Sequence, residues 1–192
     1  MIIGITGGTG CGKTTLLKVI EQQGGLVLDC DAIYHKLLQT DPALLNAIEA
    51  RFPGTVENGT LQRKKLGSMV FSDEQALLDL NAITHGAVKA EVLRQLDTAP
   101  TLAAIDAIAL FEGGLAGLCD ITVAVTAPTE DRVRRLMQRD SISEEYARNR
   151  IAAQHDEAWF RCHCMHILEN SGTEIQFHNK CLAFLQNIGI IV

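Results

Sequence analysis

The sequence predicts an α/β fold with a parallel sheet, and the order of its first three elements supports this prediction. Residues 2–6 form a short β-branched run that leads into a glycine-rich turn. Residues 13–23 carry apolar side chains at helical spacing, and a pair of glycines then ends the helix. Residues 26–28 form a second apolar run that closes at Asp29. A strand, a helix and a strand in this order are typical of parallel α/β proteins.

The segment 32–98 contains no convincing buried strand and has the patterns of helices. These patterns cover Ala43 to Phe52 and Glu74 to Leu96, with a polar turn at Asn58-Gly59 between them. We therefore expect a helical insertion after the second strand.

The second half of the chain returns to alternating strands and helices. The predicted strands are 102–110, 121–125 and 166–169, and the predicted helices are 129–138 after Pro128, 143–155 and 174–188. With 192 residues, the chain fits one domain, 1–192.

Charge and hydropathy exclude several classes of partner. The net charge of −6 gives no basic face for DNA or RNA. No apolar stretch reaches the roughly 18 residues of a membrane helix. The N-terminus has the pattern of a strand and not of a signal peptide, so we expect a cytoplasmic protein whose six cysteines are reduced. The sequence carries no signal of the oligomeric state.

Residues 7–14 match the phosphate-binding pattern GxxxxGK[ST] completely, between a predicted strand and a predicted helix. The alternative, a glycine-rich turn with no ligand, would make both the pattern and its context coincidental. Glycines let the backbone turn its N–H groups toward phosphate oxygens, and the following helix adds its positive end. Lys13 would reach the β- and γ-phosphates of ATP, and Thr14 would face Mg²⁺. Cys11 is either a small loop residue or a thiol whose pKa is lowered by the amides and Lys13.

A pair of carboxylates, Asp29 and Asp31, follows the second strand. Because the ends of parallel strands line the ligand crevice, we expect both to lie near the glycine-rich loop. They could hold the water shell of Mg²⁺ or orient an attacking hydroxyl. Alternatively, Asp31 caps a helix that starts at Ala32. The guanine signature NKxD of GTPases is missing, since Asn179-Lys180 is followed by Cys181.

Several segments in order resemble the dephospho-coenzyme A kinase family. The opening resembles it in GITGGTGCGKTT at 4–15 and DCDAI at 29–33. Later matches are NGTLQRKKLGSMVF at 58–71, LNAITH at 80–85, DAIALFE at 106–112, MQRD at 137–140, RIAAQ at 150–154 and NSG at 170–172. Departures from the family pattern stand at Cys11, Cys30, Gly86, Ile108 and around Met165. They affect packing and substrate affinity more than chemistry.

The resemblance implies a three-layer P-loop NTPase fold, with 32–98 as the acceptor-binding insertion and 139–158 as a helical lid. It implies phosphorylation of the ribose 3′-hydroxyl of dephospho-coenzyme A by ATP, with Mg²⁺. The substrates would be these two small molecules, with no nucleic acid and no membrane as partner.

The resemblance also implies roles for individual residues. Asp31 would be the catalytic base, assisted by Lys13 and Arg139. ATP would be bound by Gly8, Gly10, Cys11, Gly12, Lys13, Thr14, Thr15, Arg139 and Asn170. The acceptor would meet Asp31, His85 and Glu112, and the metal would meet Thr14, Asp29 and Asp106.

Some of these residues also have purely structural interpretations. His85 could simply stabilise its helix, Glu112 could cap the turn after its strand, and Asp106, inside an apolar strand, could be a buried hydrogen-bonding group. Arg150 and Gln154, four residues apart, could face the nucleotide, whereas Arg134, Arg135 and Arg148 are expected on a solvated helix surface.

Three other functions compete with this interpretation. The chain could phosphorylate another acceptor, such as a nucleoside monophosphate, or bind ATP as a non-catalytic regulator. A redox or metal-responsive protein is the third, but the ligand spacing in Cys162-His163-Cys164-Met165-His166 is too tight for a zinc site.

Overall fold

The computed structural model describes residues 1–98 and 100–191. Its strands are β1 (Ile2–Thr6), β2 (Leu26–Asp29), β3 (Val56–Glu57), β4 (Thr60–Leu61), β5 (Ala103–Asp106), β6 (Ile121–Thr126) and β7 (His166–Glu169). Its helices are α1 (Lys13–Gln22), α2 (Cys30–Thr40), α3 (Pro42–Arg51), α4 (Arg63–Val70), α5 (Glu74–Leu96), α6 (Thr129–Asp140), α7 (Glu144–Ala152), α8 (Glu157–His163) and α9 (Glu174–Asn187), with a 3₁₀ turn at Ala116–Leu118.

Within these residues, five strands form one parallel sheet in the order β2-β5-β1-β6-β7. Alternate residues of β1 face opposite layers of helices. Ile3 and Ile5 pack in the same cluster as Leu16 of α1 and Phe177 of α9. A side chain at Gly4 would point the other way and overlap Leu110. The predicted α/β fold, with helices on both faces of a parallel sheet, is confirmed.

The segment after β2 is helical and has its own apolar cluster, which includes Ile48, Phe52 and Val70. The turn at Asn58-Gly59 connects β3 and β4, which pair as a short antiparallel hairpin. Both turn residues have positive φ, 50° and 73°, as a type I′ hairpin turn requires. Each of these strands is only two residues long, so the insertion is mainly helical, as expected.

The predicted strand 102–110 was too long. Strand β5 ends at Asp106, and the chain then turns, so that the amides of Leu115 and Ala116 bond to the carbonyl of Leu110. The run beyond Asp106 is apolar because it packs: Leu110 is fully buried in the cluster that contains Val92 of α5. Hydrophobicity alone could not distinguish this packed turn from a buried strand.

The predicted helix 143–155 was also too long. Helix α7 ends at Ala152, and the side chain of Asp156 caps a separate helix, α8, by accepting from the Trp159 amide.

Candidate active site

The glycine-rich loop lies between β1 and α1, at the carboxyl edge of the sheet. Gly7, Gly10 and Gly12 have φ values of 130°, 78° and 93°, which glycine adopts without strain. A side chain at Gly7 would overlap the carbonyl of Val125 on β6. Among the described residues, no protein acceptor takes a hydrogen bond from the amides of Gly10, Gly12, Lys13 or Thr14. The loop therefore presents free donors suited to an anion.

A cavity of about 600 Å³ lies above this loop. It is lined by the loop together with acidic and basic side chains. The lining includes Gly8, Gly10, Cys11, Gly12, Lys13, Thr14, Asp29, Asp31, Asp106, Arg135, Arg139 and Arg150. Most residues predicted to bind ATP or metal thus share one cavity. Thr15 does not line it, and its amide donates to the Gly12 carbonyl.

Asp106 lies at the bottom of the site, as the last residue of β5 and not inside a longer strand. It pairs in register with Ile5 on one side and Asp29 on the other. Its Oδ1 is buried without a hydrogen bond, 3.9 Å from Nζ of Lys13. Burial raises the pKa of Asp106 to about 6, against the opposing effect of Lys13.

Asp29, not Asp31, caps the helix after β2, so the alternative in which Asp31 caps this helix is wrong. Helix α2 begins at Cys30, two residues earlier than expected, and Oδ1 of Asp29 accepts from the Ala32 amide at 3.0 Å. Asp31 lies in the first turn of α2, and its side chain is left to face the cavities.

A second cavity, of about 220 Å³, opens beside the first. It is mostly apolar, and its lining includes Tyr34 of α2 and His85 and Val88 of α5. Asp31 and Ile108 line both cavities. The predicted catalytic aspartate therefore lies where a pocket with free amide donors meets a pocket with apolar walls.

Glu112 does not lie at a strand end, because β5 stops at Asp106. It lies in the turn after β5, and its Oε1 is 2.7 Å from Nε2 of His155. Together with Gly8 and Gln154, the two residues line a third cavity of about 330 Å³. Glu112 therefore pairs with a residue of the predicted lid and does not face His85.

Arg139 lies at the rim of the first cavity and is paired with its neighbour. Its Nε and Nη2 donate to Asp140 at 2.7 and 3.0 Å, and Arg150 donates to the same carboxylate at 2.7 Å. Hydrogen bonds from Arg139, and to a smaller extent from Arg150, lower the pKa of Asp140 to about 2. Asp140 thus holds both predicted lid arginines, Arg139 and Arg150, beside the cavity.

Arg135 was wrongly predicted to lie on a solvated surface. It is half-buried, and its Nη1 donates to the carbonyl of Gly10 at 3.2 Å, because α6 runs beside the glycine-rich loop. Arg134 and Arg148 are exposed, as predicted, in ion pairs with Asp131 and Glu130.

Three further side chains form hydrogen bonds with the backbone of the glycine-rich loop. The buried Asn170 donates from Nδ2 to the carbonyl of Cys11 at 2.8 Å. Gln154, which could have faced the nucleotide, accepts from the amide of Thr9 and does not line the first cavity. Arg132, absent from the sequence-based predictions, donates to the carbonyl of Thr9. The only signal for Arg132 was its position three residues before Arg135, on the same helix face.

The thiol of Cys11 is not activated in this arrangement. Burial raises the pKa of Cys11 despite Arg132 and Lys13, which supports the interpretation of Cys11 as a small loop residue over that of a thiol with a lowered pKa. The segment from Cys162 to His166 spans the end of α8 and the start of β7. Within residues 1–98 and 100–191, no group of three or more His, Cys, Asp or Glu is placed to hold a metal ion.

In the same residues, every helix is too short or too polar to cross a membrane.

Comparisons with known proteins point to one family. The family model described as dephospho-CoA kinase matches residues 1–176. A dephospho-CoA kinase of Bacillus licheniformis is 35% identical over 190 residues, covering 93% of this chain and 94% of the relative. One of Corynebacterium diphtheriae is 34% identical over 178 residues, covering 90% and 89%.

Solved structures agree with these sequence matches. The structure of TT1252 from Thermus thermophilus has a TM-score of 0.85 at 33% identity, covering 98% of this chain and 97% of that one. Dephospho-CoA kinase from Campylobacter jejuni has a TM-score of 0.68 at 26% identity, covering 97% and 96%. A shikimate kinase from Bacteroides thetaiotaomicron, at 13% identity and a TM-score of 0.56, shares the P-loop kinase fold alone. With a family model that spans nearly all of its length and relatives of this similarity, the chain belongs to the dephospho-CoA kinase family.

Proposed function

We propose that the chain transfers the γ-phosphoryl group of ATP to the ribose 3′-hydroxyl of dephospho-CoA, giving CoA and ADP. The observation that carries this proposal is the position of Asp31, which lines both the cavity above the glycine-rich loop and the apolar cavity beside it. A kinase needs the acceptor hydroxyl close to the γ-phosphate, and a carboxylate between the two cavities is placed to orient that hydroxyl.

The first cavity would take the triphosphate of ATP. Its free amides and the positive end of α1 supply donors to the phosphates, and Lys13 supplies a mobile charge. The phosphates would lie along the loop residues that line this cavity, which are Gly8, Gly10, Cys11, Gly12 and Thr14. Thr15 and Asn170 would act indirectly, since both bond to loop carbonyls.

The residues present fit a magnesium ion. The unpaired, buried Oδ1 of Asp106 is a carboxylate oxygen without a partner, and Thr14 supplies a hydroxyl at the same cavity. Asp29 would contribute its remaining oxygen, because Oδ1 caps α2. When bound, Mg²⁺ neutralises charge on the β- and γ-phosphates.

The second cavity would take the nucleoside end of the acceptor. Tyr34, Val88 and His85 provide an apolar wall with one polar ring, which suits a ribose and a base more than a second phosphate. Asp31 would orient the 3′-hydroxyl and accept its proton late in the transfer. Glu112 lines only the third cavity, and Ile108 lines all three.

Arg139 would stabilise the transferring phosphoryl group from the lid, 139–158. Its guanidinium is held by Asp140 at the cavity rim, so its action requires a change of partner as the lid closes over ATP.

An assay that couples ADP release to a spectroscopic signal tests the proposal, with dephospho-CoA compared against adenosine, AMP and shikimate. We expect Mg²⁺-dependent ADP release with dephospho-CoA, and mass and NMR spectra that place the new phosphate on the 3′ oxygen. Faster transfer to AMP or adenosine would contradict the acceptor assignment. Tight ATP binding without transfer to any acceptor would favour a non-catalytic regulator.

A further inference from the structure

Two side chains outside the first cavity hold the backbone of the glycine-rich loop at Thr9. Arg132 lies on α6, and Gln154 follows the end of α7. Neither lines the cavity in which the loop amides are free, whereas Arg135, Arg139 and Arg150 do. Their hydrogen bonds would therefore affect ATP through the position of the loop and not through contact with the ligand.

The contacts form a closed ring around one residue. Nε of Arg132 donates to the carbonyl of Thr9 at 2.9 Å, and the amide of Thr9 donates to Oε1 of Gln154 at 2.8 Å. Nη2 of Arg132 donates to the same Oε1 at 3.0 Å and closes the ring. Both backbone groups of Thr9 are thus held by hydrogen bonds to side chains outside the loop.

The ring also explains the glycines that flank Thr9. A Cβ at Gly8 would overlap Nη2 of Arg132 and come within 3.1 Å of Oε1 of Gln154. A Cβ at Gly10 would lie 3.0 Å from the backbone carbonyl oxygen of Arg132. Glycine at these positions therefore lets Arg132 and Gln154 pack closely against the loop, apart from any need for phosphate to approach it.

We propose that Arg132 and Gln154 are positioning residues that preset the loop for ATP and couple it to the lid. Thr9 is buried, and its position determines where the amides of Gly10 to Thr14 point. Gln154 follows the end of α7, within the predicted lid, so its hydrogen bond to the Thr9 amide links that segment to the loop. The proposal rests on the proposed function only in that the loop binds ATP.

The ring can be broken by either of two shape-conserving changes. Gln154→Met removes the shared acceptor, and Arg132→Met removes both donors. Arg134→Met is the matched control, since Arg134 lies on the same helix but is exposed and paired with Asp131. The affinity for a non-hydrolysable ATP analogue with Mg²⁺ is measured by calorimetry without acceptor. Thermal unfolding of the free proteins is measured in parallel.

We expect each single change to weaken the affinity for the analogue about tenfold. The control should have an affinity within about twofold of the wild-type value. The double variant should lose little more than either single variant, because one change already breaks the ring. Dephospho-CoA binding should be unchanged in all of them. Gln154→Glu, which keeps an oxygen acceptor for both donors, should restore most of the ATP affinity and serves if a methionine variant unfolds.

Unchanged analogue affinity in both single variants, or independent losses that multiply in the double variant, would overturn the inference. Because the binding measurement contains no acceptor, it is separate from the proposed function. A wild-type protein that binds the analogue but does not phosphorylate dephospho-CoA would contradict the proposed reaction and leave the ring untouched.

Discussion

The proposed role of Asp31 as catalytic base depends on its position in the first turn of α2. Asp29 takes the capping position, which leaves the carboxylate of Asp31 without a structural task at the junction of two cavities. Its neighbours along the sheet edge, Asp29 and Asp106, are also acidic, and Lys13 lies between the acids and the loop. Under the proposed function, the site would separate the catalytic base from the groups that contact phosphate and metal.

Replacing Asp31 by asparagine tests this division of labour. We expect Asp31→Asn to lower kcat by at least about 10²-fold, because the hydroxyl loses the group that aims it and accepts its proton. The affinity for ATP should change little, since an asparagine side chain at this position keeps the shape of the cavity. Steady-state kinetics and analogue binding distinguish these effects, and an unchanged kcat would remove Asp31 from catalysis.

Asp106 predicts a pH dependence of the free protein. Its pKa is about 6 when folded, against 3.8 as its ordinary value, so the folded state keeps a proton that the unfolded state releases between these values. Raising the pH through this window therefore lowers stability, by about 3 kcal/mol once Asp106 is ionised. Asp106→Asn should gain stability over the wild type at pH 7.5 but not at pH 4. Urea unfolding of both proteins without Mg²⁺ checks this, and an equal difference at both pH values would contradict it.

At the scale of elements, the helical insertion rests on its own core. Phe52 is 2% exposed among Leu44, Ile48 and Leu66, whereas Phe71, on the same insertion, is 86% exposed. We expect Phe52→Ala to lower the free energy of unfolding by about 3–5 kcal/mol through the cavity it leaves. Phe71→Ala is the control and should change it by less than about 0.5 kcal/mol. Similar losses in the two variants, measured by urea unfolding, would argue against a separate core for the insertion.

The lid arginine gives a second prediction at this scale. We expect Arg139→Ala to lower kcat by about 10³-fold with a smaller effect on ATP affinity, because its charge is needed when the phosphoryl group transfers. Arg148→Ala, which removes an exposed arginine of α7, is the control and should be near wild type. A kcat within about twofold of wild type for Arg139→Ala would place the transfer charge elsewhere.

How far sequence predicted these elements depended on the kind of signal each carried. Strands β1, β2 and β6 are short apolar runs bounded by glycine or acid, and the pattern at 7–14 placed the loop between β1 and α1. Strand β5 was overextended because the turn after Asp106 is as apolar as a strand. Helix α8 was missed because it is seven residues long and follows α7 after a brief turn.

The side chains of the site divide in a similar way. Lys13, Thr14 and Asp31 follow from a motif or a strand end, which fixes their position along the chain and along the sheet edge together. The contacts of Arg132, Arg135 and Gln154 depend on how closely α6 and the end of α7 approach the loop. Helical spacing indicates which residues share a face but not what that face meets.

At the scale of the whole molecule, three regions of the chain converge on one edge of the sheet. The loop after β1 offers amides, the helical insertion and the turn after β5 form an apolar pocket, and α6 and α7 offer arginines. The chain carries a net charge of −6, so under the proposed function the attraction of ATP would be local and would depend on the loop, Lys13 and these arginines. The common point of the three regions is Asp31.

A crystal structure with a non-hydrolysable ATP analogue, Mg²⁺ and dephospho-CoA measures this convergence directly. The account predicts the triphosphate in the loop and the 3′-hydroxyl of the acceptor about 2.6–3.2 Å from a carboxylate oxygen of Asp31, in line with the γ-phosphorus. Phosphates bound away from the loop, or a 3′-hydroxyl out of reach of Asp31, would contradict it.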